Sequence, residues 1–565
     1  MTGTTGTPTP PERVTSHRYR HDHLAKHGDP VRGMSELPKK IVPDMLLVNG
    51  LFGRLLPLDK KKGIEAADFP TEALDKLASA MTTDSGLDVA RDSGIPALYT
   101  YFGQFVTHDL TFDPQSSFQK QNDRHARFDF RTPALDLDSL YGRGPIDQPY
   151  MYTPPPQSNF RADWFVLGEP LSSGYFGAVD LPRNNREPAR ALIADPRNDE
   201  NIIIAQLHAL FLRFHNRIAD DNSDWCFEQV QQSVRLHYQD IVINDFLPRI
   251  VDKKVLDTLK KGKKYRRENI KLFQWKTSSP EFENIEGLHQ YPFIPIEFSV
   301  AAFRFGHSMI RPGYQVNPQV FKAIFPLPDS PPDSQEFPSG LTGFRQINRM
   351  LGIDWRGFID MEPLPNSDPG PGVQFAFKIN TALSKPLALL PRTVASPPIR
   401  SLAERNLRRG RDLGLPSGQT VANYMQQNGL IAKDDILDDA EILIGSPEKN
   451  GKRKKILGVD PHFKKNCPLW TYILAEAERH QETVGLPFPT PKLGPVGGRI
   501  VAEVLLELLF EDGKSVLYEK NWAPSAFATY AKPKDHYTLA DLVSYTTESR
   551  TTGPGVSAAK TPKKP

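Results

Sequence analysis

Apolar residues in segment 201–221 recur every three or four positions, which predicts a helix with one broad buried face. This apolar stripe comprises Ile204, Leu207, Leu210, Phe211, Phe214 and Ile218. Segments 229–247, 467–481 and 497–510 repeat the pattern, whereas alternating, strand-like patterns are scarce. No internal repeat and no glycine-rich phosphate loop is visible. The pattern therefore predicts a mainly α protein with long loops.

The two ends of the chain are polar and differ from its middle. We expect residues 1–43 to form a poorly ordered arm and residues 546–565 to form a disordered tail. The run HRYRHDHLAKH at 17–27 holds four histidines and is either a metal-binding tract or a solvated basic arm. A length of 565 residues by itself suggests two or more domains, although no clean linker divides the middle.

The composition describes a soluble globular protein, with 39% hydrophobic and 24% charged residues. A net charge of +3 offers no electrostatic argument for a nucleic-acid or anionic-membrane partner. Two cysteines do not make a disulfide framework, and no apolar run is long enough for a transmembrane segment. The start of the chain lacks the apolar core of a secretory signal, so we expect a cytoplasmic location, with non-classical secretion as the alternative.

Residues 101–112, YFGQFVTHDLTF, place polar side chains inside an apolar stretch. On a helix, Gln104 and His108 share a face, whereas Asp109 points about 100° away. The geometry allows an amide and an imidazole to enter one pocket while Asp109 serves another site. A structural histidine satisfied inside the core is the competing interpretation.

Residues 131–142, RTPALDLDSLYG, combine Asp136, Asp138 and Thr132 with nearby backbone carbonyls. Carboxylate, hydroxyl and carbonyl oxygens are the ligands that Ca²⁺ prefers. A turn whose aspartates cap backbone amides explains the same residues.

Three further clusters carry candidate chemistry. In 194–217, Asp195 or Asn198 is a candidate helix cap, and Arg197 lies at the start of the helix. His208 and His215 are seven residues apart on that helix and are either a ligand pair or part of a structural face. His307 follows Arg304 by three residues in 297–314. In 400–424, Asn406 precedes an arginine run that indicates either an anionic partner or a solvated face; the run consists of Arg408, Arg409 and Arg411.

The order of these motifs is more specific than any one of them. GQFVTHD, TPALDLDSLYG, RNDEN with its helix, FRFGHSMI and RNLRRGRDLGLP together resemble the animal-type haem peroxidases of the peroxidase–cyclooxygenase superfamily. The resemblance extends from about residue 45 to about residue 510. It implies the animal haem peroxidase fold, in which haem lies between a distal and a proximal helix. One large haem peroxidase domain at 44–545 then replaces the several domains that length suggests.

The resemblance assigns roles on the distal side. His108 matches the distal histidine, which would take a proton from H₂O₂ and return it to the departing oxygen. Arg197 matches the distal arginine, which would stabilise charge as the O–O bond breaks to leave an oxoferryl state. Gln104 matches a glutamine near the peroxide or halide position.

On the proximal side, His307 matches the ligand of the haem iron. Asn406 matches the residue that accepts a hydrogen bond from the other ring nitrogen of that ligand. Arg304 and Arg409 match arginines near the haem propionates, with a solvated or salt-bridged face as their alternative.

The family also binds calcium beside the distal helix. The resemblance implies ligation by Asp109, Thr132, the carbonyl of Ala134, Asp136 and Asp138. Asp138 stands where mammalian members commonly have serine, and the added carboxylate suits Ca²⁺.

This chain departs from the vertebrate members at the positions that attach haem covalently. Thr107 stands where they have an ester-forming aspartate and cannot form that ester. Glu200 is present at the second ester position, so haem b is expected with at most one ester link. Asn201 replaces a methionine that forms a further link in one member, which argues against strong chloride oxidation.

Arg304 also stands where the fatty-acid dioxygenases have a radical-forming tyrosine, three residues before the proximal histidine. The expected function is therefore a haem-dependent peroxidase that uses H₂O₂ to oxidise small aromatic donors, bromide, iodide or thiocyanate. A fatty-acid dioxygenase of the same superfamily is the first alternative. A non-catalytic haem- or calcium-binding scaffold is the second, and the oligomeric state is left open.

Overall fold

The structure is a computed structural model that describes most of the chain between residues 50 and 548. The described segments are 50–56, 58–83, 89–112, 128–129, 131–153, 163–172, 177–273, 293–326, 339–362, 370–392, 394–395, 398–448 and 451–548. The predicted N-terminal arm, including the histidine run at 17–27, lies outside these residues.

The fold is mainly helical, as the sequence pattern predicts. The α-helices are α1 (Thr71–Met81), α2 (Leu98–Leu110), α3 (Asp138–Tyr141), α4 (Gly144–Asp147), α5 (Ile202–Asp221), α6 (Phe227–Asp240), α7 (Leu247–Ile250), α8 (Lys253–Thr258), α9 (Leu402–Asp412), α10 (Gly418–Gln427), α11 (Ile456–Val459), α12 (Leu469–Ala477), α13 (Pro495–Glu511) and α14 (Leu539–Thr547). The apolar stripe predicted in 201–221 is buried along α5.

Two predicted helices are not regular α-helices throughout. The 229–247 segment forms α6 and then a π-helical turn, Ile241–Phe246, before α7. The proximal segment is a π-helix, Glu297–Ala301, followed by a 3₁₀-helix, Ala302–Met309. A change of helical pitch redirects side chains that a regular α-helix would place on other faces.

The remaining 3₁₀ turns are short connections between these helices. They are Lys60–Lys62, Val89–Arg91, Pro149–Met151, Pro196–Asp199, Arg267–Asn269, Arg349–Leu351, Trp355–Gly357, Lys385–Ala388, Lys433–Asp435 and Pro461–Phe463.

The strands pair over a few residues each. They are β1 (Gly50–Gly53), β2 (Thr82–Thr83), β3 (Asp92–Pro96), β4 (Phe128–Asp129), β5 (Tyr152–Thr153), β6 (Trp164–Phe165), β7 (Lys260–Lys261), β8 (Lys264–Tyr265), β9 (Ile294–Pro295), β10 (Gly313–Asn317), β11 (Val320–Ala323), β12 (Phe375–Phe377), β13 (Leu383–Ser384), β14 (Leu443–Ile444), β15 (Lys454–Lys455), β16 (Gln481–Glu482) and β17 (Thr490–Pro491). The one three-stranded sheet among the described residues has the order β4-β1-β9, with β1 antiparallel to β4 and parallel to β9.

A continuous cluster of buried apolar side chains runs from Phe52 to Tyr545. Within it α2 packs against α5, where the rings of Phe105 and Phe211 stack with their centroids 4.6 Å apart. This packing brings the C-terminal half of α2 close to the residues that precede α5, and so positions the site.

The C-terminal end differs from the expectation by a few residues. Helix α14 continues through Thr547, and Glu548 forms an ion pair with Arg217 at 3.0 Å, so the tail predicted to begin at 546 starts too early. Within the described segments, no helix is long and apolar enough to span a membrane.

Candidate active site

A cavity of about 450 Å³ lies beside α2, the turn before α5, the 297–309 segment and α9. The structure brings together at this cavity every residue predicted to face peroxide or haem. These lining residues are Gln104, His108, Arg197, Glu200, Arg304, His307, Asn406 and Arg409. Residues from four separate parts of the chain thus surround one space.

His108 enters the cavity wall from α2, one turn after Gln104, as the helical spacing predicts. Its Nδ1 lies 2.7 Å from Oδ1 of Asn198, so Nε2 is the ring nitrogen left for a ligand in the cavity. Burial, and then the positive charge of Arg197, lowers the pKa of His108 to about 3. The imidazole is therefore neutral at ordinary pH and able to accept a proton.

Arg197 is held by three kinds of partner. Its Nε and Nη2 donate to the carboxylate of Asp195 at 3.0 and 2.7 Å, and Nη2 also donates to the carbonyl of His108 at 3.0 Å. Its guanidinium carbon lies 4.6 Å from the centroid of the Phe112 ring. These contacts fix a positive charge beside His108.

Asp195 is completely buried between two arginines. Arg131 donates to its Oδ2 from Nη2 at 2.6 Å, opposite Arg197. Burial would raise the pKa of Asp195, but the charges of Arg197 and Arg131 outweigh it and hold the pKa below its usual range. Asp195 therefore stays ionised and anchors both guanidinium groups.

Gln104 and Glu200 contact each other inside the cavity wall, where Nε2 of Gln104 donates to Oε1 of Glu200. Burial raises the pKa of Glu200 to about 7, against the opposing effect of Arg197. Thr107 lines the same wall, and its hydroxyl donates to the carbonyl of Gly103 at 2.8 Å.

On the proximal side, Nδ1 of His307 lies 2.7 Å from Asn406, as the resemblance implies, but the amide atom differs from the expected one. The expected acceptor oxygen, Oδ1, accepts instead from Nη1 of Arg304 at 3.1 Å, and Nδ2 faces the imidazole. The physical reason is that a guanidinium can only donate, so it takes the amide oxygen. Burial, and then Arg304, lowers the pKa of His307 to about 3.

The arginine run of α9 divides between the cavity and the surface. Arg409 is buried and lines the cavity. Arg408 forms ion pairs with Asp75 and Glu404, and Arg411 with Asp412. Arg408 and Arg411 are therefore salt-bridged, whereas an anionic partner of Arg409 stays a prediction.

Three carboxylates meet on the other face of α2. Asp109, Asp136 and Asp138 have ligand oxygens within 4.8 Å of one another. Asp109 accepts from the backbone amide of Leu137 at 3.1 Å, while Oδ1 of Asp138 is buried and has no hydrogen bond from the part of the chain that the structure describes. Burial and the two neighbouring carboxylates raise the pKa of Asp109 well above its usual value. A divalent cation would relieve this repulsion.

The other two expected calcium ligands make different contacts. The hydroxyl of Thr132 donates to Asp136 at 2.9 Å, and the amide of Ala134 donates to the carbonyl of Thr132 at 2.8 Å. Ligation by Thr132 and by the Ala134 carbonyl stays a prediction. Nε of Arg131 lies 3.6 Å from Oδ1 of Asp138, which connects the carboxylate cluster to Asp195.

Comparisons with known proteins match part of the chain to one family. Residues 173–353 match the profile of the animal haem peroxidase family. The chain is 30% identical to a dual oxidase of Drosophila melanogaster over 131 residues, 22% of this chain and 7% of that one. It is 25% identical to a human peroxidasin homologue over 291 residues, 48% of this chain and 16% of that one. The alignments thus span a small part of these relatives.

Among solved structures, peroxidase A from Dictyostelium discoideum superimposes with a TM-score of 0.50, covering 84% of this chain and 89% of that one at 16% identity. That likeness concerns the fold. The family match covers residues 173–353, which carry the sequence pattern of the animal haem peroxidases.

The residues that line the cavity fit the haem that the animal haem peroxidase family implies. Two neutral imidazoles line the cavity, and Nδ1 of each faces an asparagine. Nε2 of His108 keeps a lone pair, whereas Nε2 of His307 can bind iron only when the hydrogen is on Nδ1, with Oδ1 of Asn406 turned to accept it. Arg304 and Arg409 line the same cavity and supply the positive charge that carboxylate groups of a haem require. The cavity volume lies within the range of cofactor pockets.

Sequence reasoning missed the hydrogen-bond network around the distal residues. Asn198 does not cap α5; Asn201 does, with Oδ1 accepting from the amides of Ile203 and Ile204 at 3.0 Å. Asp195 caps the preceding 3₁₀ turn. The sequence shows that Asp195, Asn198 and Asn201 lie near Arg197. Apolar periodicity cannot show which backbone amides the oxygen of each side chain accepts from.

His208 and His215 share a helix but not a site, so they are not a ligand pair. Nδ1 of His208 lies 3.0 Å from Nδ2 of Asn198. Nδ1 of His215 lies 3.0 Å from the hydroxyl of Tyr141. Both imidazoles are fully buried.

Proposed function

We propose that the chain is a haem-dependent peroxidase that reduces H₂O₂ and oxidises small aromatic donors, bromide, iodide or thiocyanate. One observation carries the proposal: His108, Arg197 and His307 line a single cavity. The cavity thus offers a base, a fixed cation and a metal ligand to one small molecule.

His307 would hold haem b through Nε2, and Arg304 and Arg409 would pair with its propionates. A bound haem would supply the iron that receives peroxide and takes up its oxidising equivalents. His307 has Nδ1 turned to Asn406, which orients the ring toward the cavity.

His108 would take the proton from the nearer peroxide oxygen on Nε2 and deliver it to the oxygen that leaves as water. Arg197 would stabilise the negative charge that develops on the leaving oxygen, and its ion pair with Asp195 keeps it in place. The buried site lowers the effective dielectric constant, which strengthens this interaction.

Among the described residues that line the cavity, Glu200 alone has a carboxylate that could form an ester with haem. Gln104 holds that carboxylate by a hydrogen bond. We propose at most one ester, through Glu200. Acid–acetone extraction after turnover with peroxide tests it, because complete release of haem rules the ester out.

Calcium bound by Asp109, Asp136 and Asp138 would hold α2, and with it the adjacent His108, in place. Calcium removal with a chelator is expected to lower the unfolding free energy by about 3 kcal/mol when calcium stood at a hundred times its Kd. Asp138→Asn should weaken this dependence on calcium. An unchanged melting temperature of the wild type after chelation contradicts the site.

The fatty-acid dioxygenase alternative requires a radical-forming residue near the haem. The position three residues before His307 is occupied by Arg304, whose Nη1 is engaged by Asn406. This favours peroxidase chemistry. Oxygen uptake with linoleate in the absence of added peroxide would favour the dioxygenase instead.

The deciding experiment uses the haem-loaded full chain. Its absorption spectrum is recorded during addition of H₂O₂, and turnover is compared with guaiacol, iodide and linoleate. We expect a rapid spectral change and oxidation of guaiacol or iodide. Absence of any reaction with peroxide or with oxygen would favour the scaffold alternative.

A further inference from the structure

The distal imidazole is the first member of a buried chain of three side chains. Nδ1 of His108 lies 2.7 Å from Oδ1 of Asn198, and Nδ2 of Asn198 lies 3.0 Å from Nδ1 of His208. His108 is 6% exposed, and the other two are fully buried. Only the first member lines the cavity.

The three residues come from elements that hold them firmly. Asn198 belongs to the 3₁₀ turn Pro196–Asp199, which Asp195 caps. The backbone amide of Asn198 donates to the backbone carbonyl of Asp195 at 3.1 Å. His208 lies in the buried interior of α5, where its ring meets that of Phe105 edge-on at 6.2 Å. The central amide therefore has little freedom to move.

The donors and acceptors of this chain determine each other. An amide oxygen can only accept, so Nδ1 of His108 must donate to Oδ1 of Asn198, and Nε2 keeps a lone pair. An amide nitrogen can only donate, so Nδ1 of His208 must accept. Burial lowers the pKa of His208 to about 3, which leaves the ring neutral and able to accept.

The opposite orientation of the Asn198 amide would remove the base. With its nitrogen toward His108, Nδ1 would accept and the hydrogen would move to Nε2, where no lone pair would remain for a proton from peroxide. His208 opposes that rotation as long as its own hydrogen is on Nε2, which leaves Nδ1 to accept. Nε2 of His208 is buried and has no hydrogen-bond partner among the described residues, an unfavourable feature that an apolar residue would avoid.

We propose that Asn198 and His208 are positioning residues that fix which nitrogen of His108 carries its hydrogen and so keep Nε2 free to act as the base. The proposal rests on the proposed peroxidase function. It assigns a role to His208, an α5 histidine that lines neither the cavity nor the carboxylate cluster.

The first test determines which ring nitrogen of His108 carries the hydrogen. Histidine labelled with ¹⁵N in the haem-loaded, ferrous carbon monoxide form, which is diamagnetic, gives two-bond correlations that distinguish the two neutral forms of each ring. A His108→Gln variant identifies the signals of His108. We expect the hydrogen on Nδ1 in the wild type and a mixture of both forms in His208→Leu. A hydrogen on Nε2 in the wild type overturns the proposal.

The second test measures the rate constant for reaction with H₂O₂ by stopped flow. We expect Asn198→Ala and His208→Leu each to lower it about tenfold to a hundredfold, the usual effect of a residue that orients a functional imidazole. His208→Gln retains a side-chain acceptor and should restore most of the rate. Oxidation of donors after the peroxide step should change little.

Gln206→Leu is the matched control, because Gln206 is a buried polar residue on the same helix that contacts Leu351 and Ile353 instead. It should react like the wild type. If Asn198→Ala does not fold, the rate constants of His208→Leu and His208→Gln with H₂O₂ still test the proposal. A wild type inert to peroxide refutes the proposed function, whereas a reactive wild type with equally reactive Asn198 and His208 variants refutes this inference alone.

Discussion

The distal and proximal halves of the cavity use the same pair of residue types with opposite polarity. Each half has an imidazole whose Nδ1 faces an asparagine at 2.7 Å. In the distal half the amide oxygen faces His108, whereas in the proximal half the amide nitrogen faces His307. The asparagine alone does not determine which ring nitrogen carries hydrogen.

A third side chain makes the difference. His208 presents an acceptor to the distal amide, and Arg304 presents a donor to the proximal amide. Each third residue takes the complementary end of the amide and leaves the other end for the imidazole. A residue that contacts only the asparagine can thus set which nitrogen of the neighbouring imidazole carries hydrogen.

The largest expected effect tests whether the two halves have distinct tasks. His108→Leu should lower the rate constant for reaction with H₂O₂ by about 10²–10⁴-fold, because it removes the proton acceptor. Haem content should stay that of the wild type, since iron ligation belongs to the proximal half. Stopped-flow spectra and the haem-to-protein ratio measure both. Loss of haem together with the rate would contradict this division.

Arg131→Met tests the support of the distal half. It removes one of the two partners of buried Asp195 and should lower the unfolding free energy by about 3–5 kcal/mol, the usual cost of breaking a buried pair. The peroxide reaction should slow as Arg197 loses its fixed position.

The matched control for Arg131→Met is Lys253→Met, which breaks an exposed ion pair with Asp257. Its effect should be at most about 1 kcal/mol. Denaturant unfolding of both variants gives the comparison, and equal losses would mean that Asp195 has no special dependence on Arg131.

Glu200 lies in the distal half of the cavity. Burial raises its pKa from the ordinary carboxyl value of 4.5 to about 7. The folded state therefore holds the proton more tightly than the unfolded state. The contribution of Glu200 to the free energy of unfolding is greatest below pH 4.5 and falls as pH rises to about 7, by about 3 kcal/mol in total. Glu200→Gln should remove this part of the pH dependence. Parallel unfolding curves of both proteins from pH 5 to 8 would contradict the prediction.

The smallest expected effect concerns the proximal amide. Arg304→Leu frees Asn406 to turn its oxygen toward His307, which would make the imidazole more electron-donating and the haem reduction potential more negative. Arg304→Lys keeps a donor and should preserve the wild-type potential. Spectroelectrochemical titration compares the three proteins. A more positive potential in Arg304→Leu would show that Arg304 does not set the orientation of the amide.

The sequence predicted the residues of the cavity because they occur in short motifs with fixed spacing. Gln104 and His108 are one helical turn apart, and both line the cavity. The mainly helical fold followed from apolar periodicity, and α5 lies within one residue of the predicted segment.

Sequence reasoning failed where the chain departs from regular periods or where distant residues meet. The π- and 3₁₀-helical geometry of 297–309 has no apolar signature of its own. The contact of Arg131 with Asp195 joins residues 64 positions apart, and the reversed amide of Asn406 depends on Arg304, 102 positions away. Such partners are set by tertiary packing and not by local spacing.

The position of Arg131 between the carboxylate cluster and Asp195 has a thermodynamic consequence. Its Nε lies 3.6 Å from Asp138 and its Nη2 lies 2.6 Å from Asp195, which in turn holds Arg197 at the cavity. If calcium at the cluster changes the affinity of an anion at Arg197 by some factor, that anion must change the affinity for calcium by the same factor. A calcium titration in the presence of cyanide or azide would then measure, from the far side of α2, how strongly the distal pocket binds its ligand.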